Sequence, residues 1–207
     1  MTESWNVLTP SAYEPVSLDD AKTHCRITGS ADDALLAIYI AAARKHVEDV
    51  SWRTLMPSVQ TLTLDEWPDG NTIKLPHPPL QSVTHVKYTD SAGTVATLSS
   101  GSYVVDTSST PGRIRLKTGY SWPSVILREA GGIVVTYLAG VYNAAADSGN
   151  VTTVRAAVPR THIAAMLLII GHLYENREAV VVGSGLTATQ LPVGIDSLLM
   201  PDRAFEF

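Results

Sequence analysis

The sequence predicts an α+β fold: a helical core of three to four helices with an inserted small antiparallel β domain. Three observations support this prediction. Apolar residues keep helical spacing through the first fifty residues, alternate with a period of two between about Val59 and Gly140, and return to helical spacing after residue 150. The order helices, strands, helix fits either a β module inserted into a helical core or two domains in series.

We adopt the insertion as the working domain plan. Residues 17–58 and 141–207 are expected to form the helical core, and residues 59–140 the inserted β domain. Residues 1–16 are expected to be an N-terminal extension. The stretch Ala144–Asn150 is rich in small and polar residues and is predicted to be a linker.

Two helices are predicted before residue 58. Ser17, followed three residues later by Asp20, is a capping-box signal for a short helix that ends before Gly29. Ser30 and Asp33 repeat that signal for a longer helix, which Pro57 is expected to close. The near-helical spacing of its apolar residues predicts the buried face, namely Leu35, Tyr39, Ala42, Val47 and Val50.

Six strands are predicted in the middle of the chain, because β-branched and aromatic residues alternate with polar ones there. They are 59–65, 72–75, 82–88, 103–105, 113–116 and 133–137. Turn signals separate them, among them Asp69-Gly70, Pro78-Pro79, Pro111-Gly112 and Gly131-Gly132.

A long helix is predicted after Pro159, which suits a first helical turn because proline has no N–H to leave unsatisfied. From Ile163 to Ile170 this helix is apolar on every side, so we expect it to be buried on all sides. Its charged end at 175–178 is expected to emerge into water.

Composition excludes several classes of protein. A formal charge of −5 over 207 residues argues against a dedicated nucleic-acid-binding surface. The single Cys25 excludes an intrachain disulfide framework and a cysteine-based zinc site. No apolar run approaches the ~18 residues of a membrane helix, and no secretion signal is visible, so we expect a protein made in a reducing cytoplasm without a membrane partner.

Motifs that suggest chemistry have stronger structural explanations. The stretch 183–188 fits G-x-G-x-x-A, but the chain ends nineteen residues later, too soon for a dinucleotide-binding unit, so a flexible loop is favoured. His162 and His172 are ten residues apart and lack the spacing of a helical zinc site. The acidic pairs Asp19-Asp20 and Asp32-Asp33 fall in helix first turns, where negative charge is favourable. We therefore predict no enzyme activity, no metal and no cofactor.

Two tryptophans precede prolines in the β region. Trp67-Pro68 and Trp122-Pro123 are candidates for a carbohydrate-binding face, or for residues that pack at the rim of the β core. Rim packing is the favoured interpretation.

Four segments in the same order resemble tailed-phage head–tail connector proteins, also called adaptor or head-completion proteins and found in prophages too. Segments 17–27 and 32–44 look like the family's opening, and 75–90 is similar to the first strands of the β insertion in its longer branch. Segments 158–178 and 191–203 match its closing pattern, except that Asp202 stands where an aromatic residue is expected. Residues 1–15 have no clear counterpart.

The resemblance implies a structural virion protein at the neck, made in the host bacterial cytoplasm. Such proteins form a homo-oligomeric ring, dodecameric or close to it, between the portal protein of the capsid and the tail, and they meet a tail-completion or stopper protein. Double-stranded DNA passes through the ring without specific binding, which a net-negative subunit suits. The alternatives are a tail-completion or neck protein on the other side of the connector and, from another class, a surface- or carbohydrate-binding β module.

Candidate contact residues follow from the apolar C-terminus and the charged helix faces. The portal-contact candidates are Leu198, Leu199, Met200, Arg203, Phe205 and Phe207. The inter-subunit candidates are Arg44, Lys45, Glu48, Asp49, Glu175 and Arg177.

Overall fold

The computed structural model describes residues 3–141, 155–176 and 194–204, and in these residues the protein is α+β, as predicted. The chain divides into two compact units. The β unit comprises Met1–Ala12, Met56–Ser148 and Ala204–Phe207, and the helical unit comprises Tyr13–Leu55 and Gly149–Arg203.

Helices and strands have the following bounds in the described residues. The α-helices are α1 Leu18–Cys25, α2 Asp33–Ser51, α3 Arg160–Glu175 and α4 Gly194–Leu199, with 3-10 turns at Ser100–Ser102 and Met200–Asp202. The strands are β1 Glu3–Thr9, β2 Ser58–Leu64, β3 Thr72–Leu75, β4 Leu80–Thr89, β5 Val95–Thr97, β6 Tyr103–Asp106, β7 Gly112–Leu116 and β8 Ile133–Ala139.

The β unit contains two antiparallel sheets, with strand orders β1-β2-β8-β4-β5 and β3-β7-β6. Burial alternates along β2 and along β7, as expected for strands with one face on a core. A single cluster of buried apolar side chains draws on both sheets, including Leu62, Ile114, Val135 and Tyr137. The two sheets therefore share one core.

Strand β1 is not among the strands predicted from the sequence. It pairs with β2 from Glu3 opposite Leu64, and the Trp5 indole N–H donates to Gln60 Oε1 at 2.9 Å. The Trp5 ring also stacks on His77 with centroids 3.9 Å apart. Nearly every residue of β1 is exposed, so the strand lacks the apolar alternation that reveals its neighbours. The short edge strand β5 is missed for the same reason.

The span 57–140 begins and ends at neighbouring positions. Ser58 lies opposite Ala139 in the β2–β8 pair. At Gly140, with φ of +130°, a Cβ atom would lie 2.7 Å from the carbonyl carbon of Met56. Only glycine fits this close backbone approach.

Helix α1 begins as the sequence predicts. The Ser17 hydroxyl accepts the backbone N–H of Asp20 at 3.0 Å, and the Asp20 carboxylate accepts the backbone N–H of Ser17 at 3.3 Å. This reciprocal capping box satisfies two donors that the first helical turn leaves open. Helix α2 differs from its prediction, because Asp32 is its N-cap and makes no side-chain capping bond.

The predicted buried face of α2 is displaced by one residue, except at Val47, which is buried as predicted. The buried side chains are Leu36, Ile40, Ala43, Val47 and Ser51, whereas Ala42 is exposed and Leu35 and Tyr39 are half-buried. The physical reason is that residues 34–43 contain no charged residue, so several faces of the helix fit the apolar spacing about equally well.

Helix α3 packs against α1, α2 and α4. Its buried side chains are His162, Ala165, Met166, Ile169 and Ile170. The expectation of burial on all sides is wrong, since Leu168 is 39% exposed and Ala164 is exposed as well. The three neighbouring helices leave one side of α3 open, and that side is apolar. No helix in the described ranges is both long and apolar enough to span a membrane.

Among the described residues of the helical unit, one histidine is fully buried. His162 is fully buried, and its Nδ1 atom lies 3.4 Å from the Thr161 hydroxyl and 3.8 Å from the Asp202 carboxylate. Its Nε2 atom has no hydrogen-bond partner among the described residues. Burial lowers the pKa of the His162 imidazole below 6.5, while Asp202 opposes this shift and Arg53 adds to it.

We expect His162 to make the protein less stable in mild acid. Because its pKa is lower in the folded state, its contribution is fully present above the ordinary pKa of 6.5 and is lost as the pH falls toward the folded-state pKa. Each unit that separates the two pKa values corresponds to about 1.4 kcal/mol. Urea unfolding of the wild type and of His162→Leu, between about pH 8 and pH 5, should show a steeper loss for the wild type. Parallel profiles for the two proteins would contradict this assignment.

Candidate interaction surfaces

The described residues contain no group of three histidine, cysteine, aspartate or glutamate side chains close enough to hold a metal ion. The acidic residues Asp32 and Asp33, considered above as possible catalytic acids, have structural partners. The Tyr174 hydroxyl donates to the Asp32 carboxylate at 2.7 Å, and the Lys22 ammonium lies 2.6 Å from the Asp33 carboxylate. The G-x-G-x-x-A stretch at 183–188 lies outside the described residues.

The two tryptophans of the β region pack against each other. The rings of Trp67 and Trp122 are stacked, with centroids 4.8 Å apart and planes 7° from parallel. Trp67 also meets the ring of Tyr88 edge-on, and the Trp122 indole N–H donates to the backbone carbonyl of Gly70 at 2.8 Å. Both tryptophans pack against the β core, so the prediction of rim packing is confirmed. Stacking covers one face of each ring.

The C-terminal candidates divide into buried and exposed residues. Leu199 is fully buried and Leu198 is half-buried, whereas Met200 is 48% exposed and Arg203 is half-buried. Leu199 is therefore a core residue of the helical unit and offers a partner no accessible surface. Phe205 and Phe207 lie outside the described residues.

The segment that carries Met200 is anchored by Asp202. The Arg53 guanidinium donates through Nε to the backbone carbonyl of Asp202, and the Thr161 hydroxyl lies 3.5 Å from its carboxylate. Asp202 thus connects the 3-10 turn to the residues that follow α2 and to the first turn of α3.

Two of the inter-subunit candidates, Arg44 and Glu48, are half-buried and belong to one ionic cluster within the subunit. Arg44 donates to the Glu14 carboxylate at 2.7 Å and to the Glu48 carboxylate at 3.0 Å. Glu48 also accepts the backbone N–H of Leu55 at 2.9 Å. Burial raises the pKa of Glu48, and the charge of Arg44 opposes this shift. The Arg155 guanidinium donates to the Glu14 backbone carbonyl at 2.9 Å and so joins the same cluster.

Arg44 and Glu48 are therefore part of an internal ionic cluster. Their charges are paired within the subunit, so they contribute little to binding a neighbouring subunit. The other charged candidates differ. Lys45 and Asp49 form an ion pair on the surface, with 62% and 54% of their side chains exposed. Glu175 is exposed at the end of α3, and Arg177 lies outside the described residues.

Helix α2 presents an apolar ridge to solvent, which the charge-based analysis of the sequence does not detect. Ile38 is 64% exposed, and the neighbouring Ala34, Ala37 and Ala42 are exposed too. At 100° per residue, Ala34, Ile38 and Ala42 point away from the buried side chains of α2. The signal was present in the uncharged run 34–43, which is apolar beyond what one buried face requires.

A cavity of about 610 Å³ lies between α1 and α3. Its apolar lining comes from Ile163 and Leu167 of α3, together with Ala156. Thr23, Ala156 and Arg160 also line it and are exposed, so the cavity opens to solvent.

The model of one known protein family matches part of this chain. The model of the phage gp6-like head-tail connector proteins matches residues 15–110, which include α1, α2 and the strands from β2 to β6. No curated protein matches the chain.

Solved structures with a similar fold align with nearly the whole chain. A chain from the neck of an empty gene transfer agent particle computed with C6 symmetry is similar, with a TM-score of 0.77 and 22% identity over 99% of this chain and 97% of that chain. A chain from the virion of a native gene transfer agent particle has a TM-score of 0.73 and 23% identity over 98% and 96%. A chain from a native neck computed with C12 symmetry has a TM-score of 0.68 and 20% identity over 98% and 97%.

The family resemblance seen in the sequence is therefore confirmed over residues 15–110, where the chain is similar to the phage gp6-like head-tail connector proteins.

Proposed function

We propose that the protein is a structural subunit of the virion neck that joins the DNA-filled head to the tail and completes the head. The family match over residues 15–110 carries this proposal. The likeness to neck chains over 98% or more of this chain supports it, because the shared fold extends beyond the matched segment. The role is mechanical and requires no catalytic residue or cofactor.

The subunits form a closed homo-oligomeric ring. The similar neck structures were computed with C6 and C12 symmetry, which supports a dodecamer or a ring close to it. The ring continues the channel of the portal protein toward a tail-completion or stopper protein. Its net charge of −5 per subunit repels the phosphate backbone, so double-stranded DNA passes without being held.

Within the subunit, the helical unit is the connector core and residues 59–140 are an insertion. The adjacency of Met56 and Gly140 supports this division, since removing the intervening chain leaves two ends that a very short linker joins. Strand β1 belongs with the insertion, because it pairs with β2.

A tail-completion protein on the far side of the connector is the second candidate. The similarity to chains of particle necks is compatible with this position as well. Binding to the portal distinguishes the two candidates, because only a connector contacts the portal directly.

Oligomeric mass tests the proposal most directly. We expect native mass spectrometry to show a complex of about twelve subunits, either for the purified protein alone or after mixing with portal protein. A protein that stays monomeric in both conditions and does not bind portal protein would contradict the proposed function. A ring that binds tail protein and not portal would favour the second candidate.

Excision of the β unit tests whether the helical unit folds without it. A variant that lacks residues 1–12 and has residues 57–140 replaced by a short Gly/Ser linker should fold as a helical protein. The measurement is far-ultraviolet circular dichroism during thermal unfolding. Loss of the cooperative helical transition would show that the strands are part of the main core. A full-length chain with the same linker inserted between Ala92 and Gly93, at an exposed turn, is the matched control.

Met200 and Leu199 are neighbours that should behave in opposite ways. Met200→Glu changes an exposed side chain, so we expect an unchanged melting temperature and loss of binding to portal-bearing capsids. Leu199→Ala removes a fully buried side chain, so the free energy of unfolding should fall by about 2–4 kcal/mol. Co-sedimentation with capsids and thermal unfolding measure the two effects. If Met200→Glu binds capsids as well as the wild type does, the portal site lies elsewhere.

A further inference from the structure

The apolar ridge of α2, defined by Ala34, Ile38 and Ala42, is exposed and is covered by none of the described elements. A solvated helix face normally carries charged residues, yet residues 34–43 carry none. Ile38 projects from this ridge with 64% of its surface exposed. Because alanine side chains are short, the larger side chain of Ile38 protrudes from the ridge as a single knob.

The α1–α3 cavity has the opposite shape within the same helical unit. Its volume of about 610 Å³ exceeds one aliphatic side chain. Ile163 and Leu167 contribute an apolar patch to a lining that also contains polar and charged residues, namely Asp20, Thr23, His24, Arg155 and Arg160. The adjoining outer side of α3 continues this apolar surface through the exposed Ala164 and Leu168. A ridge from another molecule would bury apolar area on both sides.

We propose that the ridge of α2 in one subunit packs into the α1–α3 cavity of the next subunit, with Ile38 as the knob, and that this contact closes the ring. The inference rests on the proposed function. A closed ring joins two different and complementary faces, and the helical unit presents a convex apolar ridge and a concave cavity with an apolar patch in a polar lining.

The charges around the two faces are complementary too. Three acidic residues lie near the ridge, namely Asp32, Asp33 and Asp49. Lys22 pairs with Asp33 and Lys45 pairs with Asp49, so one net negative charge remains near the ridge. The lining of the cavity contains two arginines, Arg155 and Arg160, and one acidic residue, Asp20, so its net charge is positive. Opposite charges at the rim of an apolar contact favour the correct register between subunits.

Ile38→Glu tests the knob, and Ile126→Glu is the matched control. Ile126 is 79% exposed in the β unit, so both variants replace an exposed isoleucine by the same charged residue. We expect both to keep the wild-type melting temperature, and only Ile38→Glu to lower the ring population in native mass spectrometry, by at least about tenfold. An Ile38→Glu protein that forms rings as the wild type does would overturn the inference. So would a variant that keeps the ring and loses portal binding, because the ridge would then be a portal site.

Cross-linking tests the cavity side in a Cys25→Ser background. One protein carries Ile38→Cys and a second carries Ala156→Cys, and the two are mixed with a short bismaleimide. We expect covalent heterodimers, whereas Ile126→Cys mixed with Ala156→Cys should give none above background. Absence of heterodimers in a preparation that forms rings would overturn this interface and leave the proposed function intact. Absence of rings and of portal binding would instead contradict the proposed function.

Discussion

The helical unit depends on the packing of α3 against three other helices. This sixteen-residue helix contacts α1, α2 and α4, and its buried side chains lie along one stripe. Three neighbours cannot enclose a helix that is apolar on every side. The side of α3 left open, with Ala164 and Leu168, is therefore a direct consequence of the sequence and of the number of helices available.

Charged residues have a different role from the one their positions in the sequence indicate. Arg44 binds Glu14 and thereby fixes the segment before α1. Glu48, which also pairs with Arg44, accepts the backbone N–H of Leu55 and thereby fixes the turn after α2. Removing one partner of such a half-buried cluster leaves a charge with lost hydrogen bonds, which is costly. Charges engaged in this way stabilise the subunit and contribute little to recognition of a neighbour.

The sequence predicted local features well and faces less well. The capping box at Ser17 and the strand pattern of β2 depend on neighbouring residues, and the structure has both. The buried face of α2 depends on where α3 lies, and a run of ten uncharged residues does not determine it. Strand β1 depends on its pairing with β2, fifty-five residues away at Trp5 and Gln60, so local periodicity could not reveal it.

The same limit explains why the candidate contact residues had to be revised. Sequence reasoning located contacts by charge and by terminal position, but exposure decides which residues a partner reaches. Leu199 and Met200 are adjacent in the chain, yet one is fully buried and the other is 48% exposed. Conversely, Ile38 lies in the uncharged stretch 34–43, and it is among the more exposed apolar residues described. An apolar residue left outside a well-packed helical unit is stabilising only when another molecule covers it, and a ring subunit always has such a neighbour.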